Sequence, residues 1–302
     1  MIPRTHIAPN GPEFSRLVYG TWRCLEGNTT VQELNRRLNL CVELGMTTID
    51  TAEIYGLYEV EEALGKALAL SLGLRNKLEI VTKAGIYVPC KFHPDRKVAH
   101  YNATAERLVK STEKSLRFLG TDRLELFLVH RPDWLTSADD TAKGLNQLLR
   151  DGKIRSAGVS NYNVHQFELL NSRMEQPLVT NQIEFHLLHM EPIYDGSLDQ
   201  CQRLGVQPMA WSPLAGGRLF DAKNEAAHCL SKTAAELAPR YNNATLEQLA
   251  YAWVMAHPSQ SLPVIGTNKI DRMHSAAQSA DIKLSREDWY ALWEAAQGRK
   301  IP

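Results

Sequence analysis

The octapeptide IDTAEIYG (49–56) sets a carboxylate, Asp50, and a phenol, Tyr55, just where an apolar run stops. Turn geometry is served by Asn, Ser or Gly at such a place and has no use for Tyr. Later apolar runs also end on polar groups: LEIVTK on Lys83, LELFLVH on His130 and IRSAGVS on Ser160, with Asn161 next. Another run carries Gln182, and a further one ends on Trp211 and Ser212. An anion, a cation, an imidazole and a phenol brought together would make a site that protonates an oxygen as negative charge develops on it. A free phenol, with a pKa of about 10, holds its proton at neutral pH and gives it up slowly. A Lys ammonium beside it stabilises the tyrosinate and lowers that value. Asp50 would keep Lys83 charged and oriented while its own charge works against tyrosinate. A net downward shift therefore requires Lys83 to lie nearer the phenol than Asp50 does. His130 can donate a ring N–H to a substrate oxygen or hand a proton to Tyr55.

Such residues converge only if the runs that carry them end on one rim. The runs 17–20, 47–50, 78–83, 124–130, 154–160, 179–185, 206–211 and 262–266 are rich in Val, Ile and Leu. Amphipathic stretches of helical length fall at 30–44, 59–70, 104–119, 138–150, 163–172, 197–204, 245–256 and 269–279. Buried strands alternating with helices imply a parallel sheet covered by helices, and about eight such units over roughly 250 residues fit a closed (β/α)8 TIM barrel. The open doubly wound alternative places G-x-G-x-x-G after its first strand, where this chain reads LVYGTWRCLEG. Residues 1–302 are thus expected to form one α/β barrel domain. Outside the count lie an N-terminal hairpin expected to plug the barrel floor and an extra C-terminal helix at 285–297.

Composition narrows the partners. Lys plus Arg and Asp plus Glu are both 34, which gives no support to nucleic acid or a membrane surface as the main partner. A small molecule is the better default. The five Cys are scattered, the N-terminus lacks a signal-peptide pattern, and no apolar run approaches membrane-spanning length. These features favour a reduced, cytoplasmic setting. Neither heptads nor an interface stripe appears, as for a monomer or weak homo-oligomer.

Two segments suit phosphate. In WSPLAGGRL, Gly216 and Gly217 let backbone N–H groups approach a pyrophosphate, and Arg218 adds charge. Thr267, Lys269 and Arg272 open the last barrel helix with a hydroxyl and two cations. A ribose 2′-phosphate fits that patch, whereas a diol would prefer a carboxylate, so NADP is favoured over NAD. The long loop 84–103 supplies Phe92, which with Trp134 is a candidate substrate wall. Glu53 is expected to be solvated or a local cap, and His186-x-x-His189 lacks the carboxylates of a metal site.

With IDTAEIYG, VTKAG, FLVHRPD, GVSNYN, TNQIEF, WSPLAGGRL and LPVIGTNKIDR in order from about residue 14 to 275, the chain resembles the aldo-keto reductase superfamily. The resemblance implies NADPH-dependent reduction of an aldehyde or ketone by a tetrad of Asp50, Tyr55, Lys83 and His130. It further implies that Ser160, Asn161 and Gln182 hold the nicotinamide amide and that Trp211 stacks on its ring. Thr21 and Trp22 would face cofactor and substrate. Ser212, Leu214, Gly216, Arg218, Gly266, Thr267, Lys269 and Arg272 would follow the phosphates. The chain departs from the family pattern at Ser275 and Ala276, where relatives often carry Glu and Asn for the adenine. It also has Gly266 in place of a Lys and a short end, GRKIP, where others carry a lid. A more open site follows. Channel β-subunits resemble the same family, so a nicotinamide-binding sensor with little turnover is the alternative. A barrel metal hydrolase would want H-x-H at the end of the first strand, which reads VYGTW.

Overall fold

Short Val-, Ile- and Leu-rich segments become strands because both of their faces are covered. The computed structural model describes residues 1–301. Strands β1 (Arg4–His6) and β2 (Glu13–Ser15) form an antiparallel hairpin ahead of the barrel. Barrel strands β3 (Val18–Gly20), β4 (Thr48–Asp50) and β5 (Glu79–Ala84) follow. A second hairpin, β6 (Ile86–Tyr87) with β7 (His100–Tyr101), organises the loop after β5. Strands β8 (Leu126–Val129), β9 (Ala157–Ser160), β10 (Asn181–Glu184), β11 (Met209–Trp211) and β12 (Leu262–Ile265) complete the barrel. It closes in parallel, β12 pairing with β3.

The covering helices of the first half are α1 (Val31–Leu44), α2 (Val60–Ala69), α3 (Ala105–Leu119), α4 (Ala138–Arg150) and α5 (Val164–Asn171). Those of the second half are α6 (Glu191–Tyr194), α7 (Ser197–Leu204), α8 (Glu225–Leu237), α9 (Leu246–Ala256), α10 (Ile270–Gln278) and α11 (Arg286–Gln297). Local chemistry fixes their ends. In α1, Thr30 and Glu33 form a capping box, and Gly45 closes the helix in the left-handed region. Helix α8 was not among the expected elements. Its buried face, Ala227, Leu230, Ala234 and Leu237, is half alanine, so the apolar period is faint in the sequence. It packs against α11 outside the barrel.

The hairpin does occupy the barrel floor. Ile7 and Phe14 are fully buried and pack against Val18, Val81, Leu126, Leu128, Met209 and Leu262. At the opposite end, register brings polar strand termini level: Gly20 lies opposite Asp50, Lys83 opposite Leu128, and Ser160 beside Gln182. No helix among the described residues is long and apolar enough to cross a membrane.

Candidate active site

Asp50 ends β4 and Lys83 lies next to last in β5, so neighbouring parallel strands bring them together. The Lys83 ammonium donates to both Asp50 carboxylate oxygens at 2.8 Å and to the Thr51 carbonyl at 2.7 Å. Both side chains are almost fully buried. Burial works to lower the Lys83 pKa, but Asp50 and then Tyr55 more than offset it, and the ammonium is held above its usual range. Thr21 braces the pair from below. Its N–H and hydroxyl both donate to the Asp50 carbonyl, at 2.9 and 3.0 Å.

Tyr55 follows β4 on a tight turn whose next residues, Gly56 and Leu57, both have positive φ. Its ring centroid lies 4.9 Å from Lys83 Nζ, and its edge-on partner His130 is 6.0 Å away between centroids. The expected lowering of the phenol is not what this geometry gives. Burial pushes the Tyr55 pKa up, Lys83 pulls against it, and Asp50 adds to the rise. Lys83 acts on the phenol first through its charge and, more weakly, through a side-chain hydrogen bond. His130 moves the other way: burial, then Lys83 and Arg131, hold the imidazole well below its usual value. Its Nδ1 is buried without a hydrogen-bond partner. The site thus sets a protonated phenol beside a neutral imidazole, groups whose surroundings push their acidities apart.

A hydrogen-bonded chain links this cluster to the next rim residues. Trp211 Nε1 donates to Asn161 Oδ1 at 3.0 Å, and Asn161 Nδ2 donates to Ser160 Oγ at 2.7 Å. Ser160 Oγ donates to the Gln182 carbonyl at 2.9 Å, and Gln182 Nε2 donates to Asp50 Oδ1 at 2.8 Å. Asn161 (φ 59°) and Ser212 (φ 51°) sit in the left-handed region at the ends of β9 and β11. That backbone costs on the order of 1 kcal/mol for a residue other than Gly and is a recurrent mark of functional rims.

One cavity of about 930 Å³ runs from Trp22, Tyr55 and His130, past Ser160, Asn161, Gln182 and Trp211, to Thr267 and Arg272. Ser212, Leu214, Gly216 and Gly266 also line it. Gly216 and Gly217 have φ of 64° and 99°, and a Cβ on either would meet nothing within 4 Å, so the turn presents bare backbone. An orphaned imidazole nitrogen at one end, an aromatic face at the middle and a glycine turn with a cation at the other end fit a nicotinamide dinucleotide. The volume is near the upper end of the roughly 300–1,000 Å³ usual for ligand pockets.

Several sequence-based expectations land elsewhere. Phe92 and Trp134 are 51% and 80% exposed and do not line the cavity, Trp134 resting edge-on against Tyr101 instead. Thr21 is buried behind Asp50 rather than facing a ligand. Lys269 is exposed at the start of α10, and Arg218 is held by the Ala215 carbonyl at 3.0 Å. Neither lines the cavity. Glu53 is not solvated: it is buried, 3.7 Å from Lys114, and one carboxylate oxygen has no partner. His186 and His189 close a turn through mutual backbone hydrogen bonds.

The sequence reading missed Arg131, Leu57, Phe220, Glu247 and Tyr251, all of which line the cavity. Arg131 had a signal, a cation directly after the imidazole in HRPD. Glu247 had none, because an acid in the first turn of α9 is ordinary helix chemistry. It lies 3.7 Å from Arg272 and accepts from the Tyr251 hydroxyl at 3.2 Å.

A parallel barrel with a clamped lysine beneath a phenol, at the closed end of a dinucleotide-sized cleft, defines an oxidoreductase of the nicotinamide-dependent barrel class. Comparison with known proteins agrees. The model of the Aldo/keto reductase family matches residues 16–297, and the chain belongs to that family. It is 43% identical over 302 residues to Oxidoreductase YdhF of Escherichia coli (strain K12), covering 100% of both chains. Against the 6-dehydroglucose reductase of Agrobacterium fabrum it is 40% identical over 290 residues, 96% of each. An aldo/keto reductase from Klebsiella pneumoniae, solved in complex with NADP and acetate, superposes with a TM-score of 0.77 at 29% identity. That match covers 95% of this chain and 94% of the other.

Proposed function

We propose that the protein reduces aldehydes or ketones to alcohols with NADPH and that Tyr55 delivers the proton. The observation that carries this reading is the Asp50-clamped ammonium of Lys83 lying 4.9 Å from the Tyr55 ring. The nicotinamide, when bound, supplies hydride to the carbonyl carbon. The chain's own residues handle the oxygen. His130, neutral, donates an N–H to it and orients it. Tyr55, still protonated because its pKa is raised, gives its proton to the forming alkoxide, which is far more basic than a phenolate. The O–H bond of Tyr55 breaks as the alcohol O–H forms, and Lys83 steadies the tyrosinate left behind. A charged imidazole would be the rival donor, but its lowered pKa removes it from that role.

Ser160, Asn161, Gln182 and Trp211 would position the nicotinamide amide and ring. Ser212 and the Gly216–Gly217 turn would take the pyrophosphate, and Thr267 and Arg272 a 2′-phosphate. Kinship with a 6-dehydroglucose reductase supports an aldehyde that bears hydroxyl groups as the substrate class. The test is NADPH oxidation followed by absorbance with a reactive aldehyde. Tyr55→Phe should lower kcat by about 10²–10⁴-fold, the usual contribution of a general acid, while the NADPH Kd stays within about twofold. Parallel losses of both would defeat the assignment of Tyr55 as donor.

A further inference from the structure

Tyr55 stands at the head of a strained turn. Gly56, Leu57 and Tyr58 have φ of 56°, 53° and 77°, three left-handed residues in succession, and only the first is Gly. In that region a side chain's Cβ comes too close to a carbonyl oxygen, so such a run persists where its surroundings over-determine it. The turn's own hydrogen bonds are long. The Tyr58 N–H donates to the Ile54 carbonyl and the Glu59 N–H to the Gly56 carbonyl, both at 3.3 Å. What holds the turn comes from elsewhere in the chain.

Tyr58 is buried, and the loop after β5 takes up its hydroxyl completely. The oxygen accepts from Arg96 Nη1 at 2.7 Å and from the Val88 N–H at 3.2 Å, and it donates to the Ile86 carbonyl at 3.4 Å. One donor and two acceptor positions are all a hydroxyl has. Arg96 also donates to the Val88 carbonyl at 3.4 Å. The ring is enclosed as well: His93 stands edge-on at 5.0 Å between centroids, and Lys114 Nζ, from α3, lies 5.0 Å from the ring centre. A second tie, Lys91 to Glu59 at 2.7 Å, joins the same two segments at the surface, where an ion pair counts for little. Both segments face the reaction cavity. Tyr55, Gly56 and Leu57 line it from the turn and Val88 from the loop, while Tyr58 and Arg96 stay behind them. We infer that Tyr58, partnered by Arg96, is a positioning residue: by tying the turn after β4 to the loop after β5 it sets the reach of the Tyr55 hydroxyl towards the substrate oxygen. The inference rests on the reductase reading above and adds what holds the proton donor in place.

Tyr58→Phe keeps the ring and deletes the hydroxyl, and Arg96→Met deletes its donor from the half-buried loop. The assay is NADPH oxidation with 4-nitrobenzaldehyde, with kcat counted per NADPH-binding site so that unfolded chains do not enter. In each variant kcat should fall on the order of 10–100-fold, as for a small displacement of a reacting group, while the NADPH Kd stays within about twofold. The double variant should lose no more than the worse single one, because both changes break one link. Wild-type kcat per site in both single variants, with only a lower melting temperature, would make Tyr58 a structural brace and overturn the inference while leaving the reductase reading intact. Losses that multiply in the double variant would overturn it too. No reduction by the wild type itself would sink the reductase reading and this inference with it.

Discussion

Replacing Lys83 by Met separates what the ammonium does for the fold from what it does for the phenol. Lys83 and Asp50 are about 1% and 3% exposed at the side chain, and three donor contacts of 2.7–2.8 Å tie the ammonium down. Without it, the buried Asp50 carboxylate keeps only the Gln182 amide, at 2.8 Å, as a side-chain donor. Removing one partner of a buried ion pair costs about 3–5 kcal/mol, because the other charge is left uncompensated. Adding Asp50→Asn removes that charge, so the double variant should recover at least half of the loss in urea unfolding at pH 7. Activity should not follow. With the positive charge gone, nothing steadies a tyrosinate, and single-turnover reduction should fall about 10²–10⁴-fold in both variants. If the double variant regained activity together with stability, Lys83 would be a structural strut and the proton-delivery scheme would be wrong.

Other perturbations probe separate parts of the structure. Glu61, buried beneath β5 and accepting from Thr82 and Ser115, is pushed up to about 7 chiefly by burial. In the folded chain it therefore keeps its proton to higher pH than when unfolded, and wild-type stability drains away as pH rises from about 4.5 towards 7. Glu61→Gln should remove that slope and gain up to about 3 kcal/mol above pH 7, read by urea unfolding across pH; a pH-independent difference would contradict it. At the other end of the cleft, Glu247 lies 3.7 Å from Arg272 and would oppose the 2′-phosphate proposed there. Glu247→Gln should tighten NADPH, and Arg272→Ala should weaken it, each with little change for NADH, as measured by fluorescence titration. Equal effects on both dinucleotides would remove Arg272 from the 2′-phosphate. Because the Tyr55 phenol is raised, reductive kcat should stay level from pH 7 to about 9, whereas a phenol below its usual value of about 10 would bend the profile downward there.

The catalytic rim was legible because four of the eight β-rich runs end on chemically unlike polar residues, Asp50, Lys83, His130 and Ser160, and register then levels the strands on one rim. The direction of the Tyr55 shift was not legible. Type and order place Lys83 near the phenol, but burial decides the sign, and burial depends on how loops pack. Phe92 shows the same limit: a long loop says that something is presented, and only its inner hairpin decides which side chains turn outward, while Trp134, on the loop after β8, is drawn edge-on to Tyr101 of that hairpin. Glu247 was hidden for a different reason. Its partner Arg272 is 25 positions away on another helix, and no local pattern links the two. Helix α8 escaped because alanines carry half of its buried face.

The floor hairpin has a kinetic consequence. With Ile7 and Phe14 filling one end of the cylinder, traffic into the reaction cavity passes through the other mouth, where Trp22 and Leu57 stand about half exposed. Ser160 and Gln182, at most 2% exposed, lie at the bottom of that shaft. In the proposed reading, a dinucleotide seated on them would arrive before the carbonyl compound and depart after the alcohol, and product-inhibition kinetics would read that order.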